Sequence, residues 1–174
     1  MTEAKTLGEL KSSGYRVLTV RQEMRKNLVS KLQAKEDAFP NIVGYQDTVI
    51  PQLENAILSG QDVILLGERG QAKSRIIRSL TSLLDEWTPV LEDVEIPENP
   101  YAPISAQGKK ILLEQGDEAA IKWLHRDTRY GEKLATPDIT IADLIGEVDP
   151  IKIAEGRYLA DEEALHFGLI PHTN

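Results

Sequence analysis

The sequence lacks cysteine and is poor in aromatic residues, and both features restrict its chemistry. Without thiols the chain makes no disulfides, holds no thiolate zinc site and has no cysteine nucleophile. Aromatic residues account for 5% of the 174 residues, so we expect an aliphatic core. Hydrophobic residues at 41% and charged residues at 28% are typical of a soluble globular protein, and the length favours a single domain.

Long apolar runs are also absent from the sequence. The longest run, residues 63–66, is far too short to cross a bilayer, and the first residues contain no apolar region of a secretion signal. These absences predict a cytoplasmic protein with no membrane partner. The formal net charge of −8 argues against nucleic acid as the main partner, although backbone amides and Mg²⁺ allow an acidic protein to bind a polyphosphate.

What the sequence does contain is a phosphate-binding pattern between an apolar segment and an amphipathic helix. Residues 62–66 predict a buried strand, a glycine-bearing loop follows, and residues 73–87 predict a helix with an aliphatic face. Gly67, Lys73 and Ser74 match the pattern GxxxxGK[ST], whereas Ala72 stands where the second glycine usually lies. Because strand, glycine turn and helix are common in α/β proteins, a purely structural turn remains the alternative.

The chemistry of this loop requires many donors and little steric obstruction. Gly67 and Gly70 permit tight curvature, and the successive N–H groups of residues 67–74 face the ligand oxygens together with the positive end of the following helix. Lys73 is expected to place its ammonium against the β- and γ-phosphates, and Ser74 to offer its hydroxyl to Mg²⁺. For Arg75 a solvated helix face is favoured over a phosphate contact.

The remaining pattern predicts mostly helices. Helices are expected over residues 20–32, 48–58, 109–118 and 139–145, the last with Asp138 as its N-cap. Residues 121–125 predict a second strand. Residues 88–103 hold four prolines and predict an extended, turn-rich segment, and residues 151–159 predict a hairpin.

Histidine and acidic residues give weaker indications of a site. His125, His166 and His172 share no i, i+4 spacing and have no cysteine partners, so a metal site built on them is disfavoured. The acidic residues 161–163 fit a solvated helix start better than a catalytic pair of carboxylates.

Two blocks of the chain, taken together, resemble a known family. The first is residues 39–45, Phe-Pro-Asn-Ile-Val-Gly-Tyr, followed by Gly-Glu-Arg-Gly at 67–70 and Ala-Lys-Ser at 72–74. The second is residues 135–150, followed by Gly-Arg at 156–157 and Phe-Gly-Leu-Ile at 167–170. From residue 39 onward the chain resembles the amino-terminal portion of an AAA+ ATPase of the magnesium-chelatase subunit I and MoxR-like group. In the MoxR variant of the loop, alanine commonly precedes the lysine.

The resemblance implies a fold, a ligand and partners. The fold is an α/β P-loop NTPase core of three layers with an incomplete parallel sheet, amino-terminal helices over residues 1–38, and hairpin-like insertions within a nucleotide-binding domain over 39–174. The expected cofactors are ATP and Mg²⁺. Full-length relatives form rings and couple ATP hydrolysis to protein remodelling or metal insertion with a client protein. The residues expected at the nucleotide are Val43, Gly44, Gly67, Glu68, Arg69, Gly70, Gln71, Ala72, Lys73, Ser74 and Arg75, with Ser74 also at the metal.

The sequence departs from the family pattern at its end. Residues 168–174 resemble the segment that leads into the acidic Walker B strand, and the Walker B carboxylates, sensor and arginine finger are not in the sequence. We therefore expect the chain to bind nucleotide weakly if at all, and without efficient turnover. The strand over 62–66 is expected to lose its ladder partners and to leave an exposed apolar face, which favours low stability or self-association. A non-catalytic protein-interaction module is the alternative function.

Overall fold

The structure, a computed structural model, describes residues 4–154, 156 and 164–173. These residues are mixed α/β and divide into two compact units. The loop unit is Leu18–Glu86, and the sheet unit combines Met1–Val17 with Trp87–Asn174. The expected domain boundary between residues 38 and 39 falls inside the loop unit and stays a prediction.

The regular elements are short. The described α-helices are α1 Leu7–Ser12, α2 Val20–Gln33, α3 Val49–Ser59, α4 Lys73–Ser79, α5 Ala106–Gln115, α6 Ile141–Ile145, α7 Pro150–Ala154 and α8 Leu169–His172. The described strands are β1 Trp87–Leu91, β2 Ile121–His125, β3 Gly146–Val148 and β4 Leu165–Phe167. Single 3₁₀ turns follow α4, α5 and β2 at Leu80–Leu83, Gly116–Glu118 and Arg126–Arg129.

The loop unit is built on two helices that the sequence predicts to within a few residues. Helix α2 begins at a capping box, in which Thr19 accepts from the N–H of Gln22 while the Gln22 side chain accepts from the N–H of Thr19. Helix α3 ends at Gly60, whose φ of 68° is left-handed, as the sequence predicts. The buried residues of this unit form one core: Leu28, Ala38, Phe39, Ile42, Ile50, Leu53, Ile57, Ile76 and Leu83.

The predicted strand over residues 62–66 is not a strand in the structure. None of its backbone groups makes a hydrogen bond to another described residue, and the described strands pair only with one another. Leu65 packs against the core, whereas Ile64 and Leu66 are 83% and 88% exposed. An extended segment becomes a strand only when a neighbour completes its ladder. The parallel sheet expected here is therefore absent from the described residues, and the expected exposed apolar face is present.

The helix predicted over residues 73–87 is shorter than expected. Helix α4 ends at Ser79 and continues as a 3₁₀ turn. The hydroxyls of Ser79, Thr81 and Ser82 each donate to the carbonyl three residues earlier, at 2.6, 2.9 and 2.8 Å. Such local bonds compete with the α-helical ladder, which explains the early end of the helix.

The sheet unit contains two separate antiparallel pairs. In the first, β1 pairs with β2 in a register from Trp87 opposite His125 to Leu91 opposite Ile121. The strand predicted over residues 121–125 is thus confirmed. Strand β1 lies in a segment predicted to be extended, and it tolerates Pro89 because a two-stranded sheet has only edge strands. A core of Leu7, Leu91, Val94 and Ala119 lies beside this pair.

The second pair joins β3 to β4, with Gly146 opposite Phe167. Helix α6 leads into β3 and is capped by Thr140, in a capping box with Asp143, so the predicted cap Asp138 is wrong by two residues. Helix α7 occupies the start of the predicted hairpin over 151–159. Residues 155 and 157–159 of that predicted hairpin lie outside the described residues. The acidic residues 161–163 also lie outside them.

Among the described residues, every helix is too short or too polar to traverse a bilayer. The helix expected over residues 109–118 begins three residues earlier than predicted, as α5, and its last three residues form a 3₁₀ turn.

Candidate functional site

The phosphate loop, residues 67–75, runs from the unpaired segment into the first turn of α4. Residues 67–71 are all exposed, and residues 69–75 line a shallow pocket of about 460 Å³. The nine residues expected in this part of the site are consecutive in sequence, and the last three of them form the first turn of α4, so their role at a nucleotide stays a prediction. The remaining two expected residues, Val43 and Gly44, lie on the turn before α3.

The side chain of Lys73 folds back over the loop. Its ammonium donates to the carbonyl oxygen of Gly67 at 2.8 Å and to that of Glu68. In the described residues Lys73 has no carboxylate partner. The ammonium that we expect to contact phosphate is thus held at the start of the loop by two backbone carbonyl oxygens.

The backbone of the loop explains the motif's demand for small residues. Gly67 has φ of 153° and Gly70 has φ of 82°, both in the region that residues with a Cβ rarely adopt. Ala72 has φ of 56°, in the left-handed region that a residue with a Cβ rarely adopts. At position 72, where the motif usually has its second glycine, glycine would therefore be less strained than alanine.

The first turn of α4 offers donors. Ala72 makes no side-chain capping bond, and the N–H groups of Lys73, Ser74 and Arg75 have no acceptor among the described residues. Helix amino termini carry such unsatisfied N–H groups together with the positive end of the helix dipole. Ser74 and Arg75 are exposed, so their side chains are accessible at the same place.

Tyr45 is a site residue that the sequence reasoning missed. Its hydroxyl donates to the carbonyl oxygen of Gln71 at 3.2 Å, whereas Val43 and Gly44 make no described hydrogen bond to the loop. Val43 is 83% exposed, and Gly44 has φ of 88° and donates to Oε1 of Gln46 at 2.9 Å. The signal in the sequence was a hydroxyl-bearing aromatic residue directly after Gly44.

The charge of the chain is unevenly divided. The loop unit has nine basic and nine acidic residues, so the excess of acid lies entirely in the sheet unit, with eleven basic and nineteen acidic residues. Within residues 67–79 the balance is positive, because one acidic residue accompanies Arg69, Lys73, Arg75 and Arg78. An anion approaching the loop therefore meets a locally positive surface.

Groups with perturbed pKa values lie in the sheet unit. The pKa of Asp143 is lowered to about 2 by the backbone N–H of Thr140, with help from the Thr140 hydroxyl and Lys133. The pKa of Asp138 is lowered, first by a hydrogen bond from the side chain of Thr136, and burial raises the pKa of Tyr101. In the described part of the chain no three His, Asp or Glu side chains converge as a metal site.

Comparison with protein-family models, curated proteins and solved structures finds no match.

The arrangement is suited to anion binding. It combines an ammonium within the loop, unsatisfied N–H groups at the start of α4 and an exposed hydroxyl, and no acidic group but Glu68 lies among residues 67–79. Such a set of donors binds oxyanions.

Proposed function

We propose that the phosphate loop binds the polyphosphate of ATP together with Mg²⁺, within a P-loop NTPase domain that resembles the magnesium-chelatase subunit I and MoxR-like AAA+ group. The observation that carries this proposal is the ammonium of Lys73 bound at the loop's start, next to the unsatisfied N–H groups of α4. In this proposal the unpaired residues 62–66 are the strand of the P-loop core, which needs a ladder partner.

Each residue has a definite task in this proposal. Lys73 exchanges the carbonyl oxygens of Gly67 and Glu68 for charged phosphate oxygens, which make stronger hydrogen bonds. The N–H groups of Lys73 and Ser74 bind phosphate oxygens at the helix start. Ser74 supplies a hydroxyl to Mg²⁺, which neutralises charge on the phosphates when bound. The exposed hydroxyl of Ser74 and the positive φ of Gly67, which favours glycine, fit this ligand.

The wider role follows the resemblance. The proposed setting is the cytoplasm, and we propose that these residues belong to a full-length AAA+ protein whose ring couples ATP hydrolysis to remodelling of a client protein or to metal insertion. Catalysis of hydrolysis also requires groups that orient the attacking water, and the resemblance assigns that task to Walker B carboxylates rather than to the phosphate loop. The activity proposed for these 174 residues is therefore nucleotide binding.

Titration of a fluorescent ATP analogue with Mg²⁺ tests the proposal. We expect saturable binding to the unaltered chain and a loss of about 2–3 kcal/mol in Lys73→Ala, roughly 30- to 150-fold in Kd, because a charge-assisted contact is removed. Arg25→Ala is the matched control, since it removes one positive charge from an exposed position of the same unit. Absence of saturable binding, or equal binding by Lys73→Ala, would overturn the proposal.

A second candidate, a non-catalytic interaction module, is supported by one observation. Residues 62–66 expose Ile64 and Leu66 and have no backbone hydrogen bonds to other described residues, and Val63 and Leu65 line an adjacent apolar groove of about 420 Å³. The partner proposed for this surface is a second copy of the chain. Sedimentation velocity at rising protein concentration distinguishes the two functions: a concentration-dependent dimer without ATP binding supports the module, and a monomer that binds ATP contradicts it.

A further inference from the structure

We infer that Tyr45 is a positioning residue for the phosphate loop, acting through the carbonyl oxygen of Gln71. This inference rests on the proposed nucleotide binding and adds a residue outside the loop to it. The hydroxyl of Tyr45 and the carbonyl oxygen of Gln71 are 3.2 Å apart, across 26 positions of the sequence.

Tyr45 is itself held firmly within the loop unit. Its ring packs against the core that includes Leu53 and Ile57. Its carbonyl oxygen accepts from the N–H of Thr48 at 3.2 Å and from the N–H of Ile50 at 3.1 Å. The residue is therefore fixed by the start of α3, and its hydroxyl presents a fixed donor to the loop.

The loop has little other anchorage. The two hydrogen bonds of the Lys73 ammonium are internal to it, because both acceptors belong to residues 67 and 68. Across the described residues, the bond from Tyr45 is the single hydrogen bond that joins residues 67–71 to a residue outside the loop. The orientation of this exposed stretch depends on that bond.

Because the peptide unit is planar, the hydrogen bond from Tyr45 to Gln71 also sets the direction of the N–H group of Ala72. The bond between Gln71 and Ala72 is trans, so its C=O and its N–H point in opposite directions. Holding the carbonyl toward Tyr45 therefore directs the N–H of Ala72 away from Tyr45. Ala72 also has a left-handed backbone that its Cβ disfavours, so the peptide needs an external partner to keep this orientation.

Substitution of Tyr45 by Phe tests the inference, because it removes the hydroxyl and keeps the ring. We expect Kd for the Mg²⁺ complex of the fluorescent ATP analogue to rise about three- to tenfold, the effect of one neutral hydrogen bond, with an unchanged melting temperature. Tyr130→Phe is the matched control, because it removes a hydroxyl that donates to Glu132 in the sheet unit. Tyr45→Leu also removes the ring and should lower the melting temperature.

A second readout does not depend on nucleotide. In the nucleotide-free protein, Tyr45→Phe should shift the amide resonances of Ala72 and Lys73, because the carbonyl oxygen of Gln71 loses the hydrogen bond that it accepts from Tyr45. Unaltered Kd in Tyr45→Phe, with the unaltered chain binding normally, overturns the inference and leaves the proposed function intact. Absence of binding by the unaltered chain overturns the proposed function, whereas unchanged amide resonances overturn the role of Tyr45.

Discussion

Ala72 occupies a conformation that is costly for alanine. Its φ of 56° is left-handed, and glycine adopts that region without a Cβ penalty of about 1–2 kcal/mol. Glycine also gives the unfolded chain more freedom, which costs about 0.4–1 kcal/mol of stability. We therefore expect Ala72→Gly to stabilise the loop unit by about 0.5–1 kcal/mol, measured by urea unfolding followed by circular dichroism.

Ala34→Gly provides the matched control for this measurement. Ala34 ends α2 with φ of −76°, a region open to every residue, so glycine gains nothing there and lowers stability by about 0.4–1 kcal/mol. Opposite signs at the two positions are expected. A loss of stability in Ala72→Gly equal to that in Ala34→Gly contradicts the left-handed assignment.

Helix α6 depends on its capping box, which makes the helix sensitive to acid. The pKa of Asp143 is lowered to about 2 by the N–H and hydroxyl of Thr140 and by Lys133. A lowered pKa means that the carboxylate stabilises the folded helix above the usual value near 3.8 and that this contribution disappears as the pH falls toward 2. We expect the side-chain carboxyl of Asp143 to titrate near pH 2 by NMR.

Thr140→Ala separates the contributions to this titration. It removes the hydroxyl and leaves the backbone N–H, so the midpoint should rise part of the way to the usual value. A midpoint in the unaltered protein near 3.8 would show that the capping box does not persist in solution.

The sequence predicts those elements whose causes are local. Helices α2 and α3 have apolar periodicity and local terminal signals in the capping box at Thr19 and the left-handed Gly60, and both form as expected. Residues 62–66 have the composition of a strand, but a strand also requires a partner that composition does not supply. The early end of α4 depends on serine hydroxyls donating to backbone, which an apolar pattern over residues 73–87 does not reveal.

The candidate site also has one part that the sequence predicts and one residue that it does not. The phosphate loop is a contiguous motif, so the sequence alone is enough to predict residues 67–75 as a site, and that assignment stays a prediction. Tyr45 could not, because its contact with Gln71 spans 26 positions and depends on how α3 and α4 pack around one core.

The two units have separate cores, and this predicts separable unfolding. The core of the loop unit includes Leu28, and that of the sheet unit includes Leu91; both residues are fully buried. Both tryptophans, Trp87 and Trp123, belong to the sheet unit, so tryptophan fluorescence reports on that unit alone. We expect Leu28→Ala to cost about 2–5 kcal/mol in the loop unit, lowering the transition seen by circular dichroism and leaving the fluorescence transition unchanged.

Leu91→Ala is the reciprocal control and should lower the fluorescence transition. Coincident shifts of both probes in Leu28→Ala would contradict independent unfolding and indicate one cooperative protein.

The unpaired backbone of residues 62–66 also has a consequence for solvent exchange. Amide hydrogens without an acceptor exchange with deuterium almost as fast as those of an unstructured peptide, even though Leu65 is packed against a core. The five consecutive amides therefore form an internal reporter directly before the phosphate loop. A strand that pairs with one edge of this segment slows the exchange of the alternate amides that face it, so the pattern of protected amides shows which edge is paired.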